Sequence, residues 1–385
     1  MLRRGVCTRY SAEERCGISF PRGLIQNSEQ DGAGELKKEK DMPQAEAIAP
    51  PGAMPPEAQV VEILLGQLTS RLVFVAASLK LPDHLAEGAK TAEELARLTG
   101  TDAAALYRVM RTMAGLGFFE EDAGHRFALR PLGAVLRSGT PSHAAAVTLG
   151  GEIVTRSLDQ LLYCVQTGKT GFERSAGVPI FPWLAAHPTE ASLFAQTMVG
   201  FHGMEPPAIA AAYDFSTFGT IADVGGSTGN LLTTILAKHA GPKGILFDLP
   251  HVVHDAPALI EQRGLTDRVR IEGGSFFERV PEGADAYVLS HVIHDWNHEQ
   301  CLTILGNCRR AMSAGSRLLL VEMVLPEGDI PHPGKMLDMV MLTIPGGEER
   351  TAAQYETLLD EAGFEMMRLV PTESPVTIVE AAPRQ

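Results

Sequence analysis

A chain of 385 residues is too long for one average domain and long enough for two. Hydrophobic residues make up 45% and charged residues 21%, the profile of a globular protein that buries a sizeable core. A formal net charge of -14 repels phosphate backbones and anionic lipid, so neither nucleic acid nor membrane is expected as a partner, and a cytoplasmic location is expected.

Residues 1–58 start basic at Arg3 and Arg4, lack the apolar centre of a secretory signal, and run through charges at Glu35–Asp41 into a Pro/Ala stretch. They read as a disordered or extraneous tail. An organellar transit peptide is the other reading, and Glu13, Glu14 and Glu29 fit it badly. No uninterrupted apolar run reaches the length of a membrane span. Cys7, Cys16, Cys164, Cys301 and Cys308 are scattered without a C-x-x-C pair and read as reduced thiols.

Residues 59–140 follow a helical pattern with short loops. Gln67–Leu79 has apolar residues at helical spacing. Thr91 with Glu94 forms the signature of a capping box, and Gly100 stops that helix. A second helix is expected over Asp102–Leu116, ended by Gly117, and two short strands over Phe118–Glu121 and His125–Leu129. Helix–turn–helix plus hairpin is a winged-helix pattern. The would-be recognition helix offers only Arg108 and Arg111 as cations, where DNA binding needs several, so a structural or dimerisation role is expected. Residues 141–213 read as a helical linker contributing to a substrate pocket, with breaks at Gly168–Pro182 and His187–Pro188.

From residue 214 to 385 the texture changes to short β-rich runs alternating with helices. Strands are expected at Thr220–Val224, Gly244–Asp248, Val269–Gly273, Asp285–Ser290 and Arg317–Val324. Phe364–Val370 and Val376–Glu380 follow as a closing hairpin. Helices are expected near Asn230–His239, Val252–Arg263, His298–Met312 and Gln354–Ala362. This alternation means a Rossmann-like, parallel doubly wound α/β sheet.

The most specific stretch is Asp223-Val-Gly-Gly-Ser-Thr-Gly229, directly after a strand and before a helix. Gly225, Gly226 and Gly229 permit a tight turn and close approach of the backbone to a ligand. A dinucleotide fingerprint anchored at Gly225 needs glycine at positions 227 and 230, where Ser227 and Asn230 stand, and no G-K-[ST] is present for a phosphate loop. Instead Asp223 opens the loop and Asp248 ends the next strand. A carboxylate there suits a ribose diol. An acidic lining also suits the ammonium and sulfonium of S-adenosylmethionine (SAM) better than a pyrophosphate.

These residues, with Phe247-Asp-Leu-Pro-His-Val252, Gly274-Ser-Phe-Phe277, His294-Asp-Trp296 and Gly346-Gly-Glu-Glu-Arg-Thr351, resemble the plant-type class I small-molecule O-methyltransferases. That family includes caffeic acid and acetylserotonin O-methyltransferases and their bacterial natural-product relatives. The resemblance runs from about Val60 to Glu380. It implies a homodimer joined through winged-helix domains. It implies SAM with its ribose on Asp248 and its methionine part on the Gly225–Gly229 loop, with Leu249, Ser275 and Phe276 completing the expected cofactor set. It further implies His294 as general base, oriented by Glu322 and Glu349. Two positions depart from the pattern: Ser275 stands where the family usually has an Asp on the adenine, and Ser290 where plant members often carry a Lys.

The residues agree with that chemistry. A phenol has a pKa of about 10 and an imidazole about 6.5, so a histidine suits removal of the hydroxyl proton as attack proceeds. His294 follows the fourth strand and Glu322 ends the fifth, on one edge of the sheet. Met198, Met341 and Asp295 are expected to bind substrate; Met204, Phe194 and Trp183 are further pocket candidates, and Trp296 reads as a packing anchor. His291, His294 and His298 do not form a zinc-ligand pattern, and no metal is expected. The expected activity is SAM-dependent methylation of a phenolic or enolic hydroxyl on a small aromatic metabolite. The alternatives are N- or C-methylation, or hydroxylation or cyclisation with SAM bound, and a winged-helix DNA-binding regulator stands behind them.

Overall fold

The computed structural model describes residues 54–139, 147, 150–203 and 205–384. The expected tail up to residue 53 lies outside the described residues, as does the pocket candidate Met204. The chain divides into Met1–Pro55 and Pro56–Gln385.

The second unit opens with helix α1 (Pro56–Ser78), followed by α2 (Leu81–Ala86), β1 (Lys90–Thr91), α3 (Ala92–Thr99), α4 (Ala103–Gly115), β2 (Phe119–Glu121) and β3 (Arg126–Leu129). The capping box closes as expected. Thr91 Oγ1 accepts from the Glu94 N–H at 3.2 Å, and Glu94 Oε2 accepts from the Thr91 N–H at 2.7 Å. Asp102 caps α4 by accepting the Ala105 N–H, and Gly100 and Gly117 end α3 and α4 with φ of +69° and +87°. The wing is a three-stranded antiparallel sheet in the order β1-β3-β2, one strand more than the hairpin expected. At two residues, β1 is too short to show any alternation. Leu81, Leu95, Leu106, Met110, Met113, Phe119 and Phe127 form the core of this region.

Helix α1 behaves differently. Only Ala76 and Ala77 are buried along its length, while Ile63 is 74% and Leu64 61% exposed. It is also the one helix among the described residues long and apolar enough, by length and composition, to cross a membrane. Its apolar run is not uninterrupted, since Glu62, Gln67 and Arg71 fall within it, in line with the sequence; the 23-residue helix carries them as a minority.

The expected break at Gly168–Pro182 needs correction. It holds the helix Gly171–Ala176, capped by Thr170, and Pro182 lies in the first turn of the helix Ile180–Ala186, where its missing N–H costs nothing. The break at His187–Pro188 is present, since His187 ends that helix and Pro188 starts Pro188–His202.

The remaining strands are β4 (Thr220–Val224), β5 (Lys243–Asp248), β6 (Val269–Gly273), β7 (Ala286–Ser290), β8 (Arg317–Glu322), β9 (Phe364–Pro371) and β10 (Thr377–Pro383). They form one seven-stranded sheet in the order β6-β5-β4-β7-β8-β10-β9. β4 to β8 pair in parallel, and β10 runs antiparallel to both β8 and β9, so the closing hairpin is as expected. Helices Asn230–Lys238 and Ala256–Gln262 pack one face, and His298–Ala311 and Ala352–Glu361 the other. Order reverses between β4 and β7, so the crevice where such sheets bind ligands opens above the carboxyl ends of those two strands. The helix Pro333–Thr343, between β8 and the last helix, has no counterpart among the expected elements.

Candidate active site

The turn after β4 is shaped by contact as much as by conformation. Gly225 and Gly226 donate their N–H groups to Phe247 O at 2.8 and 3.3 Å, which folds the turn over β5. Gly225 has φ of +75°, and a Cβ there would meet Val292 Cγ2 at 2.8 Å. At Gly226 a Cβ would stand 2.5 Å from the carboxyl carbon of Asp223. Ser227 adopts φ of +53°, a left-handed conformation uncommon for a residue with a side chain. Its N–H donates to Asp248 Oδ2 at 2.9 Å, and the Leu249 N–H donates to Oδ1 at 2.7 Å, which fixes that carboxylate at the end of β5. Asp223 is buried, and its Oδ2 has no partner. Burial, with the nearby Asp248 charge, raises its pKa to about 7.

An unpartnered carboxylate oxygen beside a turn that has no room for a side chain at Gly225 or Gly226 fits a ligand carrying an ammonium. Ser275 and Phe276 follow β6 on the same edge. Ser275 Oγ accepts the Phe277 N–H at 3.3 Å, and Phe276 packs edge-on to Trp296. Trp296 also stacks on Phe181 at 5.0 Å between ring centres, so its anchoring role is seen directly.

His294 sits in the single turn Ile293–Asp295 after β7 and is 5% exposed. Glu322, at the end of β8, holds that turn: its Oε1 accepts the N–H groups of Val292 and Ile293 at 3.2 and 3.0 Å. His294 Nδ1 donates to Glu349 Oε1 at 2.7 Å and lies 3.7 Å from Glu322 Oε2. The bond to Glu349 places the ring proton on Nδ1 and leaves Nε2, 3.7 Å from Asp295 Oδ1, as the basic nitrogen. Burial lowers the pKa of the His294 imidazole, which keeps it neutral and able to accept a proton. It raises that of Asp295 to about 6.

The loop carrying Glu349 is seated on the histidine turn. The Glu348 N–H donates to His294 O at 2.9 Å, and the buried Arg350 guanidinium donates to Ile293 O and Glu348 O, each at 3.2 Å. Asp338, on the helix Pro333–Thr343, accepts the Glu349 N–H at 2.8 Å. A Cβ on Gly347 would fall 1.9 Å from His294 O, so only glycine allows this approach.

The structure therefore brings His294, Glu322, Glu349 and Asp295 together at one sheet edge, with Asp223, the glycine turn and Asp248 along the same edge. Met198 is half-buried on Pro188–His202 and Met341 is buried on Pro333–Thr343. Phe194 and Trp183 pack with Phe172, Ile180, Leu184 and Ile344 in a small core cluster.

Sequence reasoning did not anticipate Arg350, Asp338 or a second buried group beside His294. In that group Glu205 Oε2 accepts from His202 Nδ1 at 2.9 Å and from His291 Nε2 at 2.8 Å. His291 has φ of +52°, and its ring centre is 5.2 Å from that of His294. His202, Glu205 and His291, and likewise His291, His294 and Glu322, offer ligand atoms within 4.8 Å of one another. The Glu205 contacts have hydrogen-bond lengths, shorter than the roughly 3.3 Å between two ligands on a tetrahedral ion. His298 begins its helix half-exposed and bonds Glu361.

A doubly wound sheet that offers carboxylates and a glycine turn, without a phosphate-binding motif, and sets a carboxylate-held imidazole beside them defines a methyl-donor enzyme of the Rossmann-like class. Comparison with known proteins makes this specific. Residues 158–365 match the O-methyltransferase domain, and residues 61–139 match the O-methyltransferase dimerisation domain. The chain belongs to the SAM-dependent O-methyltransferase family, in its bacterial natural-product branch.

It is 42% identical to the phenazine O-methyltransferase of Lysobacter antibioticus over 333 residues, covering 86% of this chain and 98% of that protein. The solved structure of mitomycin 7-O-methyltransferase is 34% identical with a TM-score of 0.82, covering 85% of this chain and 97% of that one. An O-methyltransferase from neocarzinostatin biosynthesis, crystallised with SAM and 2-hydroxy-5-methyl naphthoic acid, is 31% identical with a TM-score of 0.75, covering 82% and 96%.

Proposed function

We propose that this enzyme methylates a phenolic or enolic hydroxyl of a small aromatic metabolite, with His294 Nε2 as the general base. The observation that carries the reading is the 2.7 Å bond from His294 Nδ1 to Glu349, which leaves the other ring nitrogen basic at the sheet edge that bears the glycine turn. SAM supplies a methyl group on a sulfonium that is already electrophilic, so alignment and a deprotonated oxygen are what the protein must add. Asp248 takes the ribose hydroxyls, Asp223 and the Gly225–Gly229 turn take the methionine end, and Leu249, Ser275 and Phe276 flank the adenosyl part. Met198, Met341 and Asp295 face the acceptor. As the new carbon–oxygen bond forms and the carbon–sulfur bond breaks, the hydroxyl proton passes to His294 Nε2. The imidazolium is stabilised by Glu349. The phenazine and naphthoic acid chemistries in the relatives' names support an aromatic acceptor.

The same reading assigns residues 1–58 to a tail, 59–140 to a dimerisation domain, 141–213 to a pocket-forming linker and 214–385 to the catalytic domain. The exposed apolar face of α1 then serves as a contact with a second copy, in keeping with the dimerisation-domain match over residues 61–139. The test is incubation with methyl-labelled SAM and a panel of hydroxylated aromatics. Label recovered as an aryl methyl ether is the expected result. Label recovered only on nitrogen or carbon, or hydroxylated product without label, rejects O-methylation as the chemistry.

A further inference from the structure

Two carboxylates converge on one N–H at the base. Glu349 Oε1 accepts His294 Nδ1–H at 2.7 Å, and Glu322 Oε2 is 3.7 Å from the same nitrogen; both side chains are completely buried. Glu322 Oε1 is occupied by two backbone N–H groups, yet its Oε2 has no partner, and neither has Glu349 Oε2. One imidazole N–H satisfies one anion. The nearby cation, Arg350, directs its guanidinium to Ile293 O, Glu348 O and the Glu348 carboxylate at 2.9 Å. The other titratable groups that act on the pair are Asp295, Asp338, His291, His332, Tyr355 and Cys301, none of them a fixed positive charge. Two buried carboxylates so placed cannot both stay ionised, and two orphaned oxygens mark where a proton belongs.

We infer that Glu322 and Glu349 share one proton at neutral pH, with Glu322 the neutral acid and Glu349 the anion that holds His294. The inference rests on the reading of His294 as base. Glu322 then keeps its carbonyl oxygen, Oε1, for the N–H groups of Val292 and Ile293 and carries the proton on its unpartnered Oε2, which leaves Glu349 as the single anion at His294 Nδ1. Burial, with the Glu349 charge beside it, holds the Glu322 carboxyl well above the usual carboxylate range, whereas Glu349 is raised to about 7. The arrangement also has a catalytic reason. Two full anions beside Nδ1 would hold His294 as an imidazolium before any substrate arrived, and an imidazolium is no base. With one charge neutralised, the ring stays free at rest and meets a single carboxylate once it takes the substrate proton. Glu322 is in these terms a positioning residue that clamps the histidine turn without charging it.

Infrared spectroscopy of the whole enzyme, unlabelled and carrying 13C-glutamate, tests this at neutral pH. The expected result is a protonated-carboxyl band that shifts on labelling and disappears in Glu322→Gln. A wild-type spectrum with no glutamic acid band overturns the inference whether or not the variant folds, and a band that survives Glu322→Gln but is lost in Glu349→Gln overturns it too. Kinetics adds a second arm. Glu322→Gln, which replaces one neutral group by another, is expected to leave the acid limb of kcat/KM in place. Glu349→Gln removes an anion, moves that limb to lower pH and lowers turnover by roughly 10²-fold. A downward shift in Glu322→Gln means that an anion was removed there, and it overturns the inference. If His294→Ala kept full turnover while the acid band persisted, the base assignment would fail and the shared proton would stand.

Discussion

Helix α1 and strand β8 are both rich in leucine and valine, and the chain treats them in opposite ways. Leu318, Leu319, Leu320 and Val321 of β8 are wholly buried between two layers of helices, whereas Ile63, Leu64, Leu65 and Leu68 of α1 are each more than half exposed. The sheet buries its apolar strands within the described residues, whereas α1 leaves an apolar face exposed there, the kind of surface that contacts a partner molecule. The proposed chemistry sits on the first of these regions and the proposed assembly on the second.

The comparison breaks first, and by the widest margin, at α1. Replacing Leu64 and Leu68 together by Asp removes two apolar contacts worth about 1.5–3 kcal/mol each, so the double variant should run as a monomer in analytical ultracentrifugation where the parent runs as a dimer. SAM affinity should hardly change if the sheet is self-contained. A wild-type protein that is itself monomeric would remove the proposed role of α1.

A smaller effect is expected at the end of β5. Asp248→Ala deletes charge-assisted hydrogen bonds worth about 1.5–3 kcal/mol, so SAM should bind roughly ten- to a hundredfold more weakly by calorimetry, with the dimer intact. Unchanged affinity would refute the ribose assignment.

The smallest effect is a pH dependence. Asp223 has a pKa raised to about 7 by burial, and an ammonium bound beside it favours the ionised form. SAM affinity should therefore fall as pH drops through about 7, because the proton then competes with the ligand. In Asp223→Asn that slope should flatten, and an identical slope in both proteins would free Asp223 from the assignment.

The edge that carries the proposed site was legible because chain order does most of the work. In a parallel sheet every strand leaves its carboxyl end on one edge, so Asp223, Asp248, His294 and Glu322 share that edge once the strands are recognised. The glycine turn was legible from its position between strand and helix. Glu349 was different, since it reaches His294 on a loop 55 residues further along the chain, and only the family resemblance placed it there. Gly347 shows why no local pattern reveals this approach: its need for glycine comes from His294 O, a backbone atom distant in sequence. The His202–Glu205–His291 group joins residues 86 positions apart, and nothing in either segment points to the other. Exposure of α1 was equally hidden, because an apolar helical stripe reads the same whether it meets its own core or a second molecule.

The central claim is that His294 takes the acceptor's proton. Its most direct test is single-turnover methyl transfer by His294→Ala, with SAM affinity measured on the same sample. The account predicts that SAM binds as it does to the parent while the chemical step slows by roughly 10²- to 10⁴-fold. Transfer near the parent rate, with SAM bound, would contradict it.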